Sequence, residues 1–169
     1  MLSGKILYAV HNGTYVIKLI GDVRVPMCTS LDGFLERMFA DPELNSVLVD
    51  LTQTVGIDST ALGLIAKIAV FLKERRTKPV LLSSNPDVNR VLFSMGFDRV
   101  FIILESSMRD NESLDELPQD EASEQELTRK VIDAHRTLMG MNEQNKETFR
   151  NLVDALESEQ RSHHKHPGC

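Results

Sequence analysis

The 169-residue sequence contains no tryptophan, only two cysteines and few aromatic residues, which make up 5% of the chain. We therefore expect a core built from aliphatic side chains. The two cysteines, Cys28 and Cys169, are far apart and follow no metal-binding or redox spacing. The sequence thus indicates neither a disulfide framework nor a zinc site. We interpret Cys28 as a small, inert hydrophobic residue near the first turn of a helix.

Long apolar runs are also missing. No stretch approaches the roughly 18 to 20 consecutive apolar residues that a membrane-spanning helix needs, and the N-terminus lacks a basic segment followed by an apolar one. The sequence therefore predicts no membrane association and no targeting segment. A cytoplasmic protein is the default expectation.

Motifs of common enzyme classes are absent from the chain. It has no Gly-x-x-x-x-Gly-Lys phosphate loop, no Gly-x-Gly-x-x-Gly fingerprint and no Gly-x-Ser-x-Gly nucleophile elbow. A nucleophilic serine needs a base within hydrogen-bond reach, and His11, in a predicted hairpin turn, is the only histidine before residue 105. We expect a protein without enzymatic activity, cofactor or metal. The histidines at 163, 164 and 166 are interpreted as part of a frayed tail.

Negative charge is concentrated in the C-terminal third. Residues 1–104 hold 11 Lys and Arg against 10 Asp and Glu, whereas residues 105–169 hold 8 against 15. Binding of nucleic acid depends on clustered cations, so nucleic acid is not an expected partner. The basic cluster at residues 73–78 lies where a helix should end, and cations there complement the helix dipole.

Hydrophobic patterning predicts an α/β fold with a mixed sheet. Two strand-like runs flank Asn12-Gly13, which is typical of a β-hairpin. Predicted helices follow Pro26, Asp58 and Asn85, and they alternate with predicted strands at residues 47–51, 79–82 and 99–104. That order implies parallel strands with right-handed crossovers. The helix from Ser59 has an apolar arc wider than a one-sided helix needs, so we expect a second element to cover it.

The C-terminal third predicts an extension to one domain. Residues 1–104 form the domain, the acidic, proline-interrupted residues 105–121 a linker, residues 122–160 a helical extension and residues 161–169 a flexible tail. Gly140 is a point at which the extension can divide. An apolar stripe follows spacings of three and four through Leu127, Val131, Ala134, Leu138, Met141, Asn145, Thr148, Leu152 and Ala155. It must pack against the domain, a second copy or a partner protein.

The junction within residues 46–76 carries the clearest functional signal. An apolar strand ends in a polar loop, and Asp58-Ser59-Thr60 then begins a long helix. Asp58 suits the N-cap position, because its carboxylate can accept from the unpaired amides of the first turn. Ser59 would begin the helix with its hydroxyl near the surface. From local sequence alone, these residues can also serve purely as a cap.

Asp50-Leu51, followed by Ile57-Asp58-Ser59-Thr60-Ala61-Leu62-Gly63, resembles the signature of the STAS domain, the fold of bacterial anti-sigma factor antagonists. In that family the pattern is commonly Asp-Leu, a short loop, then Asp-Ser-Ser-Gly-Leu-Gly. Further similar features lie at residues 19–22 and 91–97, and the resemblance covers roughly residues 5–104. Thr60 and Ala61 depart from the pattern. Ser59, the position that is phosphorylated in regulatory members, is kept.

The resemblance implies a non-enzymatic anti-sigma factor antagonist in a partner-switching pathway. It would bind an anti-sigma factor when unmodified. A serine kinase of the histidine-kinase-like ATPase type would phosphorylate Ser59 and release it, and a metal-dependent serine phosphatase would restore it. The expected partner-binding residues are Asp22, Asp58, Ser59, Thr60, Ala61, Gly63, Ser83 and Ser84. The C-terminal helices would supply a homodimer interface or a further partner surface.

Two other functions stay open. A STAS-like module can bind a small ligand, such as a nucleotide or lipid, in a cleft lined by Ser83, Ser84 and Asn85. These residues follow a predicted strand and should therefore lie beside the Ser59 turn, since sites in α/β sheets collect at the carboxyl ends of strands. A purely structural subunit with an unmodified serine is the third alternative.

Overall fold

An antiparallel hairpin begins the fold. In the computed structural model, which describes residues 4–105 and 114–165, β1 (Lys5–His11) and β2 (Thr14–Val23) pair along the whole of β1. Asn12 and Gly13 join them with φ values of 50° and 80°. Only residues that tolerate positive φ fit such a turn, and for this reason the Asn-Gly pair predicted it correctly.

Alternating helices and strands then build the rest of the sheet. In chain order they are α1 (Val25–Phe39), β3 (Ser46–Asp50), β4 (Thr54–Ile57), α2 (Ser59–Lys73), β5 (Val80–Leu82), α3 (Pro86–Ser94), α4 (Phe97–Val100), β6 (Ile102–Leu104), β7 (Asp115–Glu116), α5 (Glu124–Met139) and α6 (Glu143–Lys165). The strand order is β6-β5-β3-β2-β1-β7, with β4 paired to β2 beside this path. Pairs β2/β3, β2/β4, β3/β5 and β5/β6 are parallel. The predicted fold class, a mixed sheet with packed helices and a C-terminal helical extension, is confirmed.

Three short elements differ from the predictions. β4 lies in the segment predicted as a loop, and it pairs with β2 beyond a register shift at Gly21 and Asp22. The predicted strand at 99–104 is wrong in its first half. Gly96 has a φ of 84° and precedes the helical turn α4, and only β6 joins the sheet. β7 lies within the segment interpreted as a linker and pairs with β1, and the next residue, Leu117, is buried.

The C-terminal helices pack on the chain's own domain. α5 ends at Gly140, and its inward side chains, Ile132, Ala134, His135 and Leu138, are buried, with α5 lying along α2. This second covering explains the wide apolar arc of α2. In α6, which begins at Glu143, the predicted stripe holds at Asn145 and is wrong beyond it. Phe149 and Val153 face inward, whereas Thr148, Leu152 and Ala155 are exposed.

Two further observations concern the helices. α6 continues to Lys165, into the segment predicted as a flexible tail, and His166 and Cys169 lie outside the described residues. Among the helices that the structure describes, none combines the length and apolar character needed to cross a membrane.

Cys28 is expected to resist alkylation in the native protein. Its side chain is fully buried in α1, and burial, reinforced by the carboxylates of Asp58 and Asp32, raises the pKa of the thiol to about 12. The thiol therefore stays protonated at mildly alkaline pH, and the protonated form is not the nucleophile. In a Cys169→Ser background, mass spectrometry should find no iodoacetamide adduct until guanidinium is added. Equal labelling rates with and without denaturant would contradict this assignment.

Candidate functional site

Asp58 fixes the start of α2. Its Oδ1 atom accepts a hydrogen bond from the Ala61 amide at 2.9 Å, and its own amide donates to the Val23 carbonyl at 3.1 Å. The first contact caps the helix, and the second ties the turn to the end of β2. Ser59 follows as the first residue of α2 and is half-buried.

The neighbouring Asp50 holds the loop that leads to this turn. It is 0% exposed, and its Oδ1 atom accepts from the amide of Thr52 at 2.9 Å and from the Thr52 hydroxyl at 2.6 Å. Its Oδ2 atom has no hydrogen-bond partner within residues 4–105 and 114–165. Lys18 Nζ lies 3.9 Å from Oδ2 and offsets the buried charge. The aspartate of the Asp-Leu motif is therefore structural.

The hydroxyl of Ser59 is bonded to a histidine from the C-terminal extension. Ser59 Oγ lies 2.7 Å from His135 Nε2, and His135 Nδ1 lies 2.6 Å from the Val131 carbonyl oxygen. Because a carbonyl can only accept, Nδ1–H donates to it, and when the ring is neutral, Nε2 accepts from the serine hydroxyl. The ring is 1% exposed and rests edge-on against Phe149 with centroids 5.0 Å apart. The position and orientation of His135 are thus fixed by α5 and α6 together.

The backbone of α5 packs so closely against the first turns of α2 that there is no room for a side chain at Gly63. Gly63 faces Ala134, and a Cβ built on Gly63 would lie well inside contact distance of the Ala134 carbonyl and 2.7 Å from the Ala134 Cβ. Glycine is thus the residue that permits this packing. Both residues are buried. The contact brings His135 onto Ser59.

Ion pairs fasten the extension to α1 and to α2. Asp32 of α1, which is buried, lies 2.6 Å from Lys130 Nζ of α5 and 3.5 Å from Lys67 Nζ of α2. Lys67 also lies 3.1 Å from Asp133 of α5.

The third fastening point is the end of α3. There the Met95 carbonyl accepts from Asn142 Nδ2 at 3.1 Å and from Asn145 Nδ2 at 2.9 Å. The buried Asn145 therefore takes the place of an apolar stripe residue because it has hydrogen-bond partners at the domain surface.

The other predicted site residues do not all face solvent around Ser59. Thr60, Ala61 and Ser83 are buried, whereas Asp22 is half-buried and binds Arg24 Nε at 2.9 Å, and Ser84 is exposed. Asn85 caps α3 through the Asp87 amide and donates to the Thr54 carbonyl at 3.4 Å. Within the described residues, no hydrogen bond joins Ser83 or Ser84 to the Ser59 turn.

Two cavities of the protein lie away from Ser59 and from the serines at 83 and 84. One of about 280 Å³ is lined by Ala69, Lys73, Arg76, Thr77, Lys78, Arg99 and Val100. The other, of about 560 Å³, lies between α1, α5 and α6. The cleft expected for a small ligand is thus not formed by either cavity. In the part of the chain that the structure describes, no three His, Cys, Asp or Glu side chains form a potential metal site.

The serine–histidine pair is the feature that sequence reasoning missed. The expectation that no base reaches Ser59 is wrong, because it considered only histidines before residue 105. A signal was present, since His135 lies four residues after Val131 and three before Leu138, both on the predicted stripe, and so shares the face of α5 that must be buried. A hydroxyl bonded to imidazole is a potential nucleophile, although neither cavity provides a substrate space beside it.

Comparison with known proteins gives a match over the sheet and its first helices. A family model described as the STAS domain matches residues 5–112, which confirms the resemblance in the sequence. The solved structure of the anti-sigma factor antagonist SpoIIAA in its unphosphorylated form has a TM-score of 0.53 and 18% identity, covering 60% of this chain and 89% of that chain. An anti-sigma factor antagonist from Mycobacterium paratuberculosis has a TM-score of 0.52 and 19% identity, covering 62% and 87%.

A third similar structure is the Bacillus cell fate determinant SpoIIAA in the phosphorylated form, with a TM-score of 0.51 and 17% identity, covering 60% of this chain and 92% of that chain. At these identities the likeness shows the fold alone. The comparison with curated proteins finds no match.

Proposed function

The chain belongs to the STAS domain family, and on that basis we propose that it is an anti-sigma factor antagonist switched by phosphorylation of Ser59. The unmodified protein binds an anti-sigma factor in the cytoplasm and so frees a sigma factor for transcription. A serine kinase of the histidine-kinase-like ATPase type adds phosphate to Ser59, and a metal-dependent serine phosphatase removes it. The protein itself catalyses no reaction.

The observation that carries this proposal is the position of the Ser59 hydroxyl. It begins α2 directly after the Asp58 cap, within the motif that identifies the family. Free amides and the dipole at a helix N-terminus favour an anion, so the domain can tolerate phosphate there. A partner that covers the turn would meet a dianion in a desolvated interface, which is costly without a matching cation. Phosphorylation therefore acts on docking and spares the sheet.

The proposed docking surface centres on the beginning of α2. Ser59 supplies its polar contact, and the half-buried Asp22 and Asp58 border it. Gly63 lies one turn further along α2, beneath Ala134 of α5. Thr60 and Ala61 are buried and support the turn from inside. Ser84 is exposed beyond β5 and would lie at the rim of the surface.

We expect Ser59→Ala to keep the anti-sigma factor bound and Ser59→Asp to weaken binding by about tenfold or more, as a charge placed in a desolvated contact does. Tagged wild-type protein and both variants are used to capture proteins from cells that produce the chain, and bound proteins are quantified by mass spectrometry. A supporting result requires that the captured protein, when it is itself tagged in cells that lack this chain, co-purifies with a sigma subunit.

The matched control is Ser94, an exposed serine at the end of α3. Ser94→Ala and Ser94→Asp make the same chemical changes away from α2 and should leave capture unchanged. If Ser59→Ala and Ser59→Asp retain the same partners with equal affinity, the switch at Ser59 is wrong. If phosphate is never found on Ser59 in cells, the kinase and phosphatase assignments fail with it.

A further inference from the structure

α5 covers the part of α2 that the proposed function assigns to partners. The extension reaches Ser59 through His135, Gly63 through Ala134, and Lys67 through Asp133. These three residues of α2 lie one turn apart along one side of the helix. A partner that docks on this side of α2 and the chain's own α5 therefore compete for the same surface.

When α5 is docked, Ser59 is half-buried and its hydroxyl is bonded to His135. A phosphoryl group replaces the hydroxyl hydrogen with phosphorus and three oxygens, in the direction in which His135 Nε2 now lies at 2.7 Å. The imidazole has no free rotation, because Nδ1 is bonded to Val131 and Phe149 lies against the ring. Phosphate on Ser59 in its present rotamer and docked α5 therefore compete for the same space.

Charge adds to the competition for space. The Asp58 carboxylate stands at the same helix end, where it caps the Ala61 amide, and it repels a phosphate dianion.

The extension lies outside the part of the chain that matches the family. The STAS match ends at residue 112, before α5 begins at Glu124, so the sheet and its helices form the family fold without the extension. Several of its contacts are polar, including the ion pairs of Lys130 and Lys67 and the amide donors of Asn142 and Asn145. Water can replace these polar contacts, whereas Ala134, Leu138 and Phe149 belong to the same apolar core as the domain, so the exposure of their side chains sets the free-energy cost of opening.

We propose that α5 and α6 form an intramolecular lid, which occupies the partner surface of α2 and which phosphorylation of Ser59 displaces. The closed lid hides Ser59 from the kinase and α2 from the anti-sigma factor, so both must wait for or induce its opening. The two equilibria are linked. Lid closure lowers the equilibrium extent of Ser59 phosphorylation by the same factor by which phosphate on Ser59 lowers the equilibrium constant of lid closure. The inference rests on the proposed function for the modification of Ser59 and for the partner surface on α2.

The test uses full-length protein with phosphoserine incorporated at position 59 during translation, so that no kinase or partner is needed. Hydrogen exchange is measured by mass spectrometry for amides of α5 and of β3. We expect α5 amides to exchange about tenfold faster or more than in the unmodified protein, as for a segment that loses its docked state. Amides of β3 should stay protected, which shows that the domain is folded.

Phosphoserine at Ser162 is the matched control, because Ser162 is exposed near the end of α6 and its hydroxyl donates to the Ser158 carbonyl of its own helix. It should leave α5 exchange unchanged. Unchanged or slower exchange of α5 with phosphoserine 59 overturns the lid, while the proposed switch can still pass its own capture experiment. If phosphoserine 59 prevents folding, Ser59→Leu supplies bulk without charge at the same atom, and protected α5 amides in that variant also overturn the lid.

Discussion

Phe97→Ala is expected to lower the free energy of unfolding by about 3 to 5 kcal/mol, the usual cost of deleting a buried aromatic ring. Phe97 is 0% exposed and stacks on Phe101 with centroids 5.4 Å apart. These two rings fill the space beneath α4, so truncation leaves a cavity that the surrounding backbone can close only in part. Urea denaturation followed by circular dichroism measures the change.

Phe93 provides the matched control within the same segment. It is 52% exposed at the end of α3, so Phe93→Ala should change the free energy of unfolding by no more than about 0.5 kcal/mol, as for ordinary surface substitutions. Similar losses for the two variants would show that the packing assigned to Phe97 is wrong.

The same pair of rings explains where strand prediction failed. Residues 99–104 contain an apolar run of strand length, and from the sequence such a run cannot be distinguished from a helical turn followed by a shorter strand. The deciding feature is the spacing of four between Phe97 and Phe101, which places both rings on one side of a turn. Gly96 ends α3 with positive φ and begins the new turn. Tertiary packing of two side chains thus outweighs local propensity.

Elements whose signals are local were predicted well. The Asn12-Gly13 hairpin depends on two residues that accept positive φ, and the start of α2 depends on Asp58, whose carboxylate bonds an amide three residues ahead. Short-range chemistry of this kind can be deduced from neighbouring residues. β4 and β7 carry no such signal, because each is stabilised by strands that are distant in the sequence.

The environment of Ser59 depends on contacts of the longest range. Ser59 and His135 are 76 residues apart, and Gly63 meets Ala134 across a similar separation. The stripe in the C-terminal third showed that a buried face must exist, but it did not show which surface the face covers. The stripe was compatible with packing on the chain's own domain, on a second copy or on a partner protein. Gly63 of α2 permits the close approach that places α5 on the domain.

Gly63→Ala is expected to undock α5 while strengthening α2 itself. In a helix interior alanine is favoured over glycine by about 1 kcal/mol, yet the added methyl group would overlap the Ala134 carbonyl and lie 2.7 Å from the Ala134 Cβ. Overpacking of this kind costs about 1 to 3 kcal/mol. If undocking of α5 relieves this overpacking, the undocked population rises about 5- to 150-fold. Hydrogen exchange of α5 and the fraction of phosphorylated Ser59 in cells should both rise.

Gly33→Ala is the control for this substitution, because it makes the same change in α1, where the new methyl group meets only Arg37 Nη1 at 3.5 Å. It should leave both measurements unchanged. Ala134→Leu overfills the contact from the α5 side and leaves every residue of α2 in place, so it should reproduce the effect of Gly63→Ala. Faster exchange of α5 without a rise in Ser59 phosphorylation would separate lid opening from access of the kinase. Unaltered exchange in both variants would show that α5 is a fixed part of the domain and no lid.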